Sequence, residues 1–216
     1  MKTRQFVSAS LMLIVSSAGI CANPTGPDQK TLTAALENYL AQHGDFCLGK
    51  YDWPIDVTAL DVGARTRDAV QMPALEKLGL VASSSVTVMR KTNETEESVP
   101  ATRYALTDEG KRFYLKKDIS LKTPDGQTIV HHGDFCAGKV SLARIVKWDK
   151  SASFAQDADV TVSYTYKFAA AEWTHAPEIQ KAFPMLDRLL KGEGTLQLEQ
   201  HFRLLDKNWV AVNPWE

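Results

Sequence analysis

The octapeptide HGDFCLGK, residues 43–50, returns as HGDFCAGK, residues 132–139, and this duplication decides how the chain is organised. Seven of the eight positions are identical between the two copies. The copies also hold Cys47 and Cys136, the only cysteines outside the first 22 residues. The duplication therefore predicts two halves that are joined through their cysteines.

Residues 1–22 have the order of a secretory signal peptide. A basic start precedes an apolar stretch centred on LMLIV, residues 11–15, which is short for a membrane span. Ala22 then offers a small residue for cleavage. We therefore predict a periplasmic or secreted protein that is cleaved near Ala22. The open alternative is a lipoprotein anchored through Cys21.

Export also predicts the state of the two remaining cysteines. Exported chains meet an oxidising compartment, where paired cysteines form disulfides. Cys47 and Cys136 allow one intramolecular pairing, so we predict a Cys47–Cys136 disulfide. Two free, buried thiols are the alternative.

Composition excludes several classes of protein. Removal of residues 1–22 shifts the net charge from −1 to −3, and no basic block stands out in what remains. A nucleic-acid binder usually shows a basic face, so we predict no nucleic-acid partner. No later run is long and apolar enough to span a membrane. With 44% hydrophobic residues, the chain has enough apolar side chains to form a core.

Hydrophobic periodicity predicts a mixed α+β fold. In the first half, residues 31–42 and 67–78 have helical spacing, and Pro73 suggests that the second helix begins near it. In the second half, residues 160–168 alternate between apolar and polar side chains, as in a strand with one buried face. The order β-β-α-β-β there predicts an antiparallel sheet with one helix, which Pro184 kinks or divides.

Part of the first half resembles a winged-helix module. The resemblance rests on the end of a recognition helix (LEKLGLV, 75–81), two wing strands (84–91 and 103–106) and the segment after the wing (YALTDEGK, 104–111). DNA-binding members commonly carry a basic wing tip, whereas this one carries Glu94, Glu96 and Glu97. The resemblance implies a winged-helix-like subdomain over residues 23–118, used structurally or for protein contact. The antiparallel sheet and its helix then occupy residues 119–216.

Most residues of the duplicated motif have a structural interpretation. We expect the aspartates to cap turns, the phenylalanines to anchor the core, and the lysines to be solvated or paired with the motif aspartates. These residues are Asp45, Phe46 and Lys50 in the first copy, and Asp134, Phe135 and Lys139 in the second.

A metal site is the sharper hypothesis for the same motif. A disulfide brings its two Cβ atoms to within about 4 Å. His43, Asp45, His132 and Asp134 would then gather near a local two-fold axis, and two imidazoles with two carboxylates suit zinc or a similar divalent ion. No other cofactor is implied.

No catalytic signature marks an enzyme, since HExxH, GxSxG, Walker and Rossmann patterns are all absent from the sequence. In general terms the chain resembles exported proteins of Gram-negative bacteria. We predict a non-enzymatic binding or interaction protein, for instance an inhibitor or immunity factor, with a protein or cell-envelope partner. Trp173 and His175 are the candidate interface residues. A metal-binding protein and an envelope hydrolase are the alternatives, and the oligomeric state stays open.

Overall fold

The structure is a computed structural model, and it describes residues 27–91, 96–150 and 159–212. The predicted signal peptide, residues 1–22, lies outside these ranges, as does Glu94 of the predicted wing tip. The leader therefore stays a prediction. Within the described ranges, no helix is both long and apolar enough to cross a membrane.

The first half is built from helices and a small sheet. Its elements are α1 (Gln29–His43), β1 (Asp45–Cys47), β2 (Ile55–Thr58), α2 (Ala59–Ala64), α3 (Arg67–Lys77), β3 (Val81–Lys91), β4 (Glu96–Leu106), α4 (Asp108–Lys111) and β5 (Tyr114–Leu115). Strands β2, β4 and β3 form a three-stranded antiparallel sheet in that order. Helix α1 begins where the Asp28 carboxylate accepts a hydrogen bond from the backbone N–H of Thr31.

The second half supplies most of a larger sheet. Its elements are β6 (Ile119–Lys122), β7 (Thr128–His131), β8 (Asp134–Lys150), β9 (Asp159–Ala170), a 3₁₀ turn (Glu172–His175), α5 (Pro177–Ala182), α6 (Pro184–Lys191), β10 (Gln197–Leu205) and β11 (Asn208–Val212). Strands β6 and β7 pair only with each other among the described residues. The larger sheet has six strands, in the order β1-β8-β9-β10-β11 with β5 also paired to β8.

The α+β class and the antiparallel sheet are confirmed. Two shifts of register in β8, at Leu142/Arg144 and Ile145/Lys147, mark bulges that bend the strand and curl the sheet. Strands β1 and β5 come from residues 23–118, so the larger sheet draws on both sides of the predicted domain boundary. Helix α1 also packs across β8 and β11.

The predicted strand over residues 160–168 is confirmed as β9, and its apolar face forms the centre of the core. The five side chains of this face are all buried: Val160, Val162, Tyr164, Tyr166 and Phe168. The prediction of a single buried face is wrong at Ser163 and Thr165, which lie on the other face and are also buried. The Tyr166 hydroxyl donates a hydrogen bond to the carbonyl of Leu189 in α6 (2.7 Å), which fixes that helix over the sheet. Burial raises the pKa of Tyr164 to about 12, so its phenol stays neutral at physiological pH.

The two prolines for which the sequence predicted an effect on a helix, Pro73 and Pro184, behave differently. Pro184 starts α6 after a break at Phe183, which confirms that the predicted helix is divided there. The prediction that the earlier helix begins near Pro73 is wrong, because Pro73 lies inside α3. Thr66 caps α3 by accepting a hydrogen bond from the Ala69 N–H, and this cap sets the start at Arg67, nearly two turns before Pro73.

Gly44 joins α1 to β1 where the backbone passes very close to β8. A Cβ atom on Gly44 would lie 2.3 Å from the Val140 carbonyl oxygen and 2.4 Å from that of Leu40. We expect Gly44→Ala to lower the free energy of unfolding by about 2 kcal/mol or more, because backbone atoms must move.

Gly63 in α2 is the matched control, since a Cβ atom there meets no atom within 4 Å. We expect Gly63→Ala to be neutral or to stabilise by about 0.5–1 kcal/mol through helix propensity. Urea denaturation of both variants tests the pair, and equal effects would contradict the close approach at Gly44.

Candidate functional site

The two copies of the motif are paired with each other as antiparallel strands. Asp45 in β1 lies opposite Lys139 in β8, Phe46 opposite Gly138, and Cys47 opposite Cys136. The two cysteines form a disulfide across 89 positions of sequence, which confirms the predicted link.

Each motif aspartate therefore meets the other copy of the motif. The Asp45 carboxylate lies 3.7 Å from the Lys139 ammonium at a half-buried position. Asp134 is only 4% exposed, and its carboxylate accepts hydrogen bonds from the backbone N–H groups of Gly49 (3.1 Å), Lys50 (2.7 Å) and Phe135 (2.7 Å). Burial raises the pKa of the Asp134 carboxyl, and these amide hydrogen bonds act against that rise.

Lys50 corrects one expectation from the sequence. Its side chain is 2% exposed and its ammonium pairs with Asp68 at the start of α3, not with a motif aspartate. Burial lowers the pKa of Lys50, and the Asp68 carboxylate opposes that shift. The lysine thus ties the first motif copy to α3. The sequence missed this because nothing marks Asp68 as the acceptor.

The predicted metal site is not formed by His43, Asp45, His132 and Asp134. Antiparallel pairing sends residues that precede each cysteine towards opposite ends of the strand pair, so the two histidines diverge from the disulfide. The His132 ring lies 2.8 Å from Asp118, and Asp134 is held by backbone amides. Within the described ranges, no three His, Cys, Asp or Glu residues are placed to hold a metal ion.

The candidate interface residues lie in the 3₁₀ turn. Trp173 is half-buried, and its ring lies 5.8 Å from that of Phe113 and 5.5 Å from that of Phe135. Its ring therefore belongs to an aromatic cluster beneath the motif. His175 is exposed. A role for these two residues at an interface stays a prediction.

A cleft of about 540 Å³ lies beside the first motif copy, and we call it the Arg67 cleft. It runs between β1, the first half of α3 and the break between α5 and α6. The lining residues that matter here are Phe46, Tyr51, Arg67, Gln71, Phe183 and Met185. Of these, the sequence singled out only Phe46, as a core anchor of the motif, since the others come from segments that only folding brings to it.

The cleft holds polar atoms that have no partner among the residues that the structure describes. The amide nitrogen of Gln71 donates a hydrogen bond to the Ala182 carbonyl (3.2 Å), but its buried Oε1 accepts none within the described part of the chain. Arg67 is exposed and makes no ion pair with any described residue. A Cβ atom on Gly49 would lie 3.6 Å from both the Arg67 guanidinium and the Tyr51 hydroxyl, so these two groups converge at one point.

A second, more polar groove of about 700 Å³ lies between α1 and strands β10 and β11. His43, Glu199 and His201 are among its lining residues, together with Trp209. Glu199 accepts a hydrogen bond from the Ser163 hydroxyl (3.3 Å), and the His201 ring lies 2.9 Å from the Thr161 hydroxyl. The groove side chains on β10 are therefore already engaged by the sheet.

Comparison of the chain with family models, with curated proteins and with solved structures finds no match to any of them. We therefore infer function from the geometry of the two clefts.

Proposed function

We propose that this is an exported, periplasmic, non-enzymatic binding protein whose ligand or partner enters the Arg67 cleft. The observation that carries the proposal is the composition of the cleft, which joins apolar walls to an arginine and a buried amide oxygen that have no ion-pair partner and no donor among the described residues. Binding sites typically combine apolar walls with a few such polar groups in volumes of about 300–1,000 Å³.

The apolar walls support binding. Met185 is 67% exposed at the mouth of the cleft, and Phe183 is buried behind it. An exposed methionine adapts to ligands of different shape because its side chain is unbranched and flexible. The half-buried Phe46 adds an aromatic wall on the opposite side.

The titratable groups near the motif support a non-enzymatic role. Lys50, which has a lowered pKa, does not line the Arg67 cleft and its ammonium is taken up by Asp68. Asp134, which has a raised pKa, is enclosed by three backbone N–H groups. Both groups have structural partners in place of access to a substrate.

We further propose that residues 55–106 act as a winged-helix-like module for protein contact, not for nucleic acid. The order β2-α2-α3-β3-β4 and the strand order β2-β4-β3 support the likeness. On the wing strands, Arg90 pairs with Glu97, so this cation is already neutralised. Helix α2 exposes Leu60 and Val62, which suit protein contact better than a phosphate backbone.

Site-specific crosslinking tests the proposed location of binding. We expect the photoreactive residue p-benzoylphenylalanine in place of Met185 to give a discrete adduct when cells that export the protein are irradiated. Leu205 on β10 is the matched control, because it is 47% exposed but neither lines the Arg67 cleft nor belongs to residues 55–106. The same substitution at Leu205 is expected to give no such adduct, and mass spectrometry identifies the adduct.

The absence of an adduct at position 185, or equal adducts at both positions, would overturn the proposed location. The polar groove between α1 and β10 favours the second candidate, an envelope hydrolase, because it holds a carboxylate and two imidazoles. Turnover of purified peptidoglycan that is lost in Glu199→Gln would decide for the hydrolase.

A further inference from the structure

We propose that the Arg67 cleft binds the C-terminal end of a peptide whose last residue is large and apolar. This inference rests on the proposed binding function and names the chemistry of its ligand. Three parts of the cleft match such a peptide. Arg67 and Tyr51 match its carboxylate, the apolar walls match its last side chain, and Gln71 matches a backbone N–H.

The carboxylate matches the point where Arg67 and Tyr51 converge. Both side chains approach Gly49, and neither the guanidinium nor the phenol has a hydrogen-bond partner among the described residues. A guanidinium binds a carboxylate through two parallel hydrogen bonds, and a phenol donates a third. Gly49 has a φ of 67°, a left-handed conformation that favours glycine, so no Cβ atom occupies the space in front of these two groups.

The N-terminus of α6 adds to the attraction for an anion. Met185 and Leu186 lie in the first turn and both line the cleft. Their N–H groups have no intrahelical acceptor, and the capping residue Phe183 supplies no side-chain hydrogen bond. Helix α6 has eight residues, which is about two turns. Because its first turn lines the cleft, the positive end of its dipole lies at the cleft.

No carboxylate of the described residues takes the place of the ligand. Asp68 pairs with Lys50, Asp187 in the first turn of α6 pairs with Lys191 and lines a different depression, and Asp134 is enclosed by backbone amides. None of these three aspartates lines the Arg67 cleft. The arginine is therefore the only charged side chain among its described lining residues.

A peptide fits better than a fatty acid because of Gln71. This side chain is 7% exposed, lines the cleft, and has an Oε1 atom that lacks a donor within the described ranges. A buried acceptor without a partner is costly, so a ligand that brings an N–H gains from satisfying it. A peptide supplies this N–H from the same residue that carries its carboxylate or from the residue before it, whereas a fatty acid has none. Capture of a terminal carboxylate is a known mode of peptide recognition.

The test uses the whole exported protein and the probe acetyl-Ala-Ala-Phe with a free C-terminal carboxylate, measured by isothermal titration calorimetry. The same peptide with a C-terminal amide, and dodecanoate, are the comparison ligands. We expect the amide and dodecanoate to bind at least tenfold more weakly than the free acid. Arg67→Gln is expected to weaken the free acid by about tenfold or more and to leave the amide unchanged.

Arg65→Gln is the matched control, because Arg65 is an exposed arginine two positions away that does not line the cleft. It is expected to bind the free acid as the unmodified protein does. Equal binding of acid and amide, tighter binding of dodecanoate, or no binding of the acid would each overturn the peptide inference. A crosslinked adduct at position 185 would still support the proposed function, so the two failures are distinguishable.

Discussion

The double variant Cys47→Ser, Cys136→Ser is expected to unfold with a free energy about 4 kcal/mol lower than that of the oxidised protein. The disulfide closes a loop of 89 positions, and the loss of loop-closure entropy in the unfolded chain scales with that length. Urea denaturation, followed by circular dichroism, measures the difference. A change of this size is a large fraction of the stability of an ordinary domain.

Chemical reduction provides the control for this prediction. The unmodified protein in excess dithiothreitol is expected to match the double variant, because both lack the same covalent link and keep the backbone pairing of β1 with β8. Equal stability of the oxidised protein and the double variant would show that the disulfide contributes nothing to the free energy of unfolding.

Asp134→Ala is expected to cost about 3 kcal/mol or more of unfolding free energy. The substitution leaves the backbone N–H groups of Gly49, Lys50 and Phe135 without their acceptor at a buried position. Unsatisfied buried donors cost about 1–3 kcal/mol each, although their effects are not fully additive. Urea denaturation at neutral pH measures the loss.

Asp45→Ala is the matched control, since Asp45 occupies the same position in the other copy of the motif. Its carboxylate is half-buried and makes a single long contact with Lys139 (3.7 Å), so we expect a loss below about 1 kcal/mol. Equal losses in the two variants would contradict the asymmetry between the copies.

Local sequence signals predicted the elements whose causes are local. The alternation of residues 160–168 predicted β9, and Pro184 predicted the division between α5 and α6. The exception is Pro73, where the Thr66 cap prevailed over the preference of proline for the first turn. Competing local signals therefore limit how accurately the sequence predicts even the start of a helix.

Apart from the Cys47–Cys136 disulfide, which export and the two remaining cysteines predicted, long-range pairing was beyond the sequence. The motif predicted that the two copies meet but not that they run antiparallel, and this orientation separates His43 from His132. The burial of Lys50 depends on its ion pair with Asp68. Arg67 lines a cleft because the break at Phe183 lies across from it in the fold. Periodicity reports which face of an element is apolar, but it carries no information about which distant segment covers that face.

The position of the disulfide has a consequence for the order of folding. Strands β2, β4 and β3 and the hairpin of β6 and β7 lie wholly between Cys47 and Cys136 in sequence. Their contacts are more local than the pairing of β1 with β8, and contacts of short sequence separation form faster. During synthesis Cys47 also appears well before its partner. We therefore expect the Cys47–Cys136 disulfide to form late, after the strands between the two cysteines have paired.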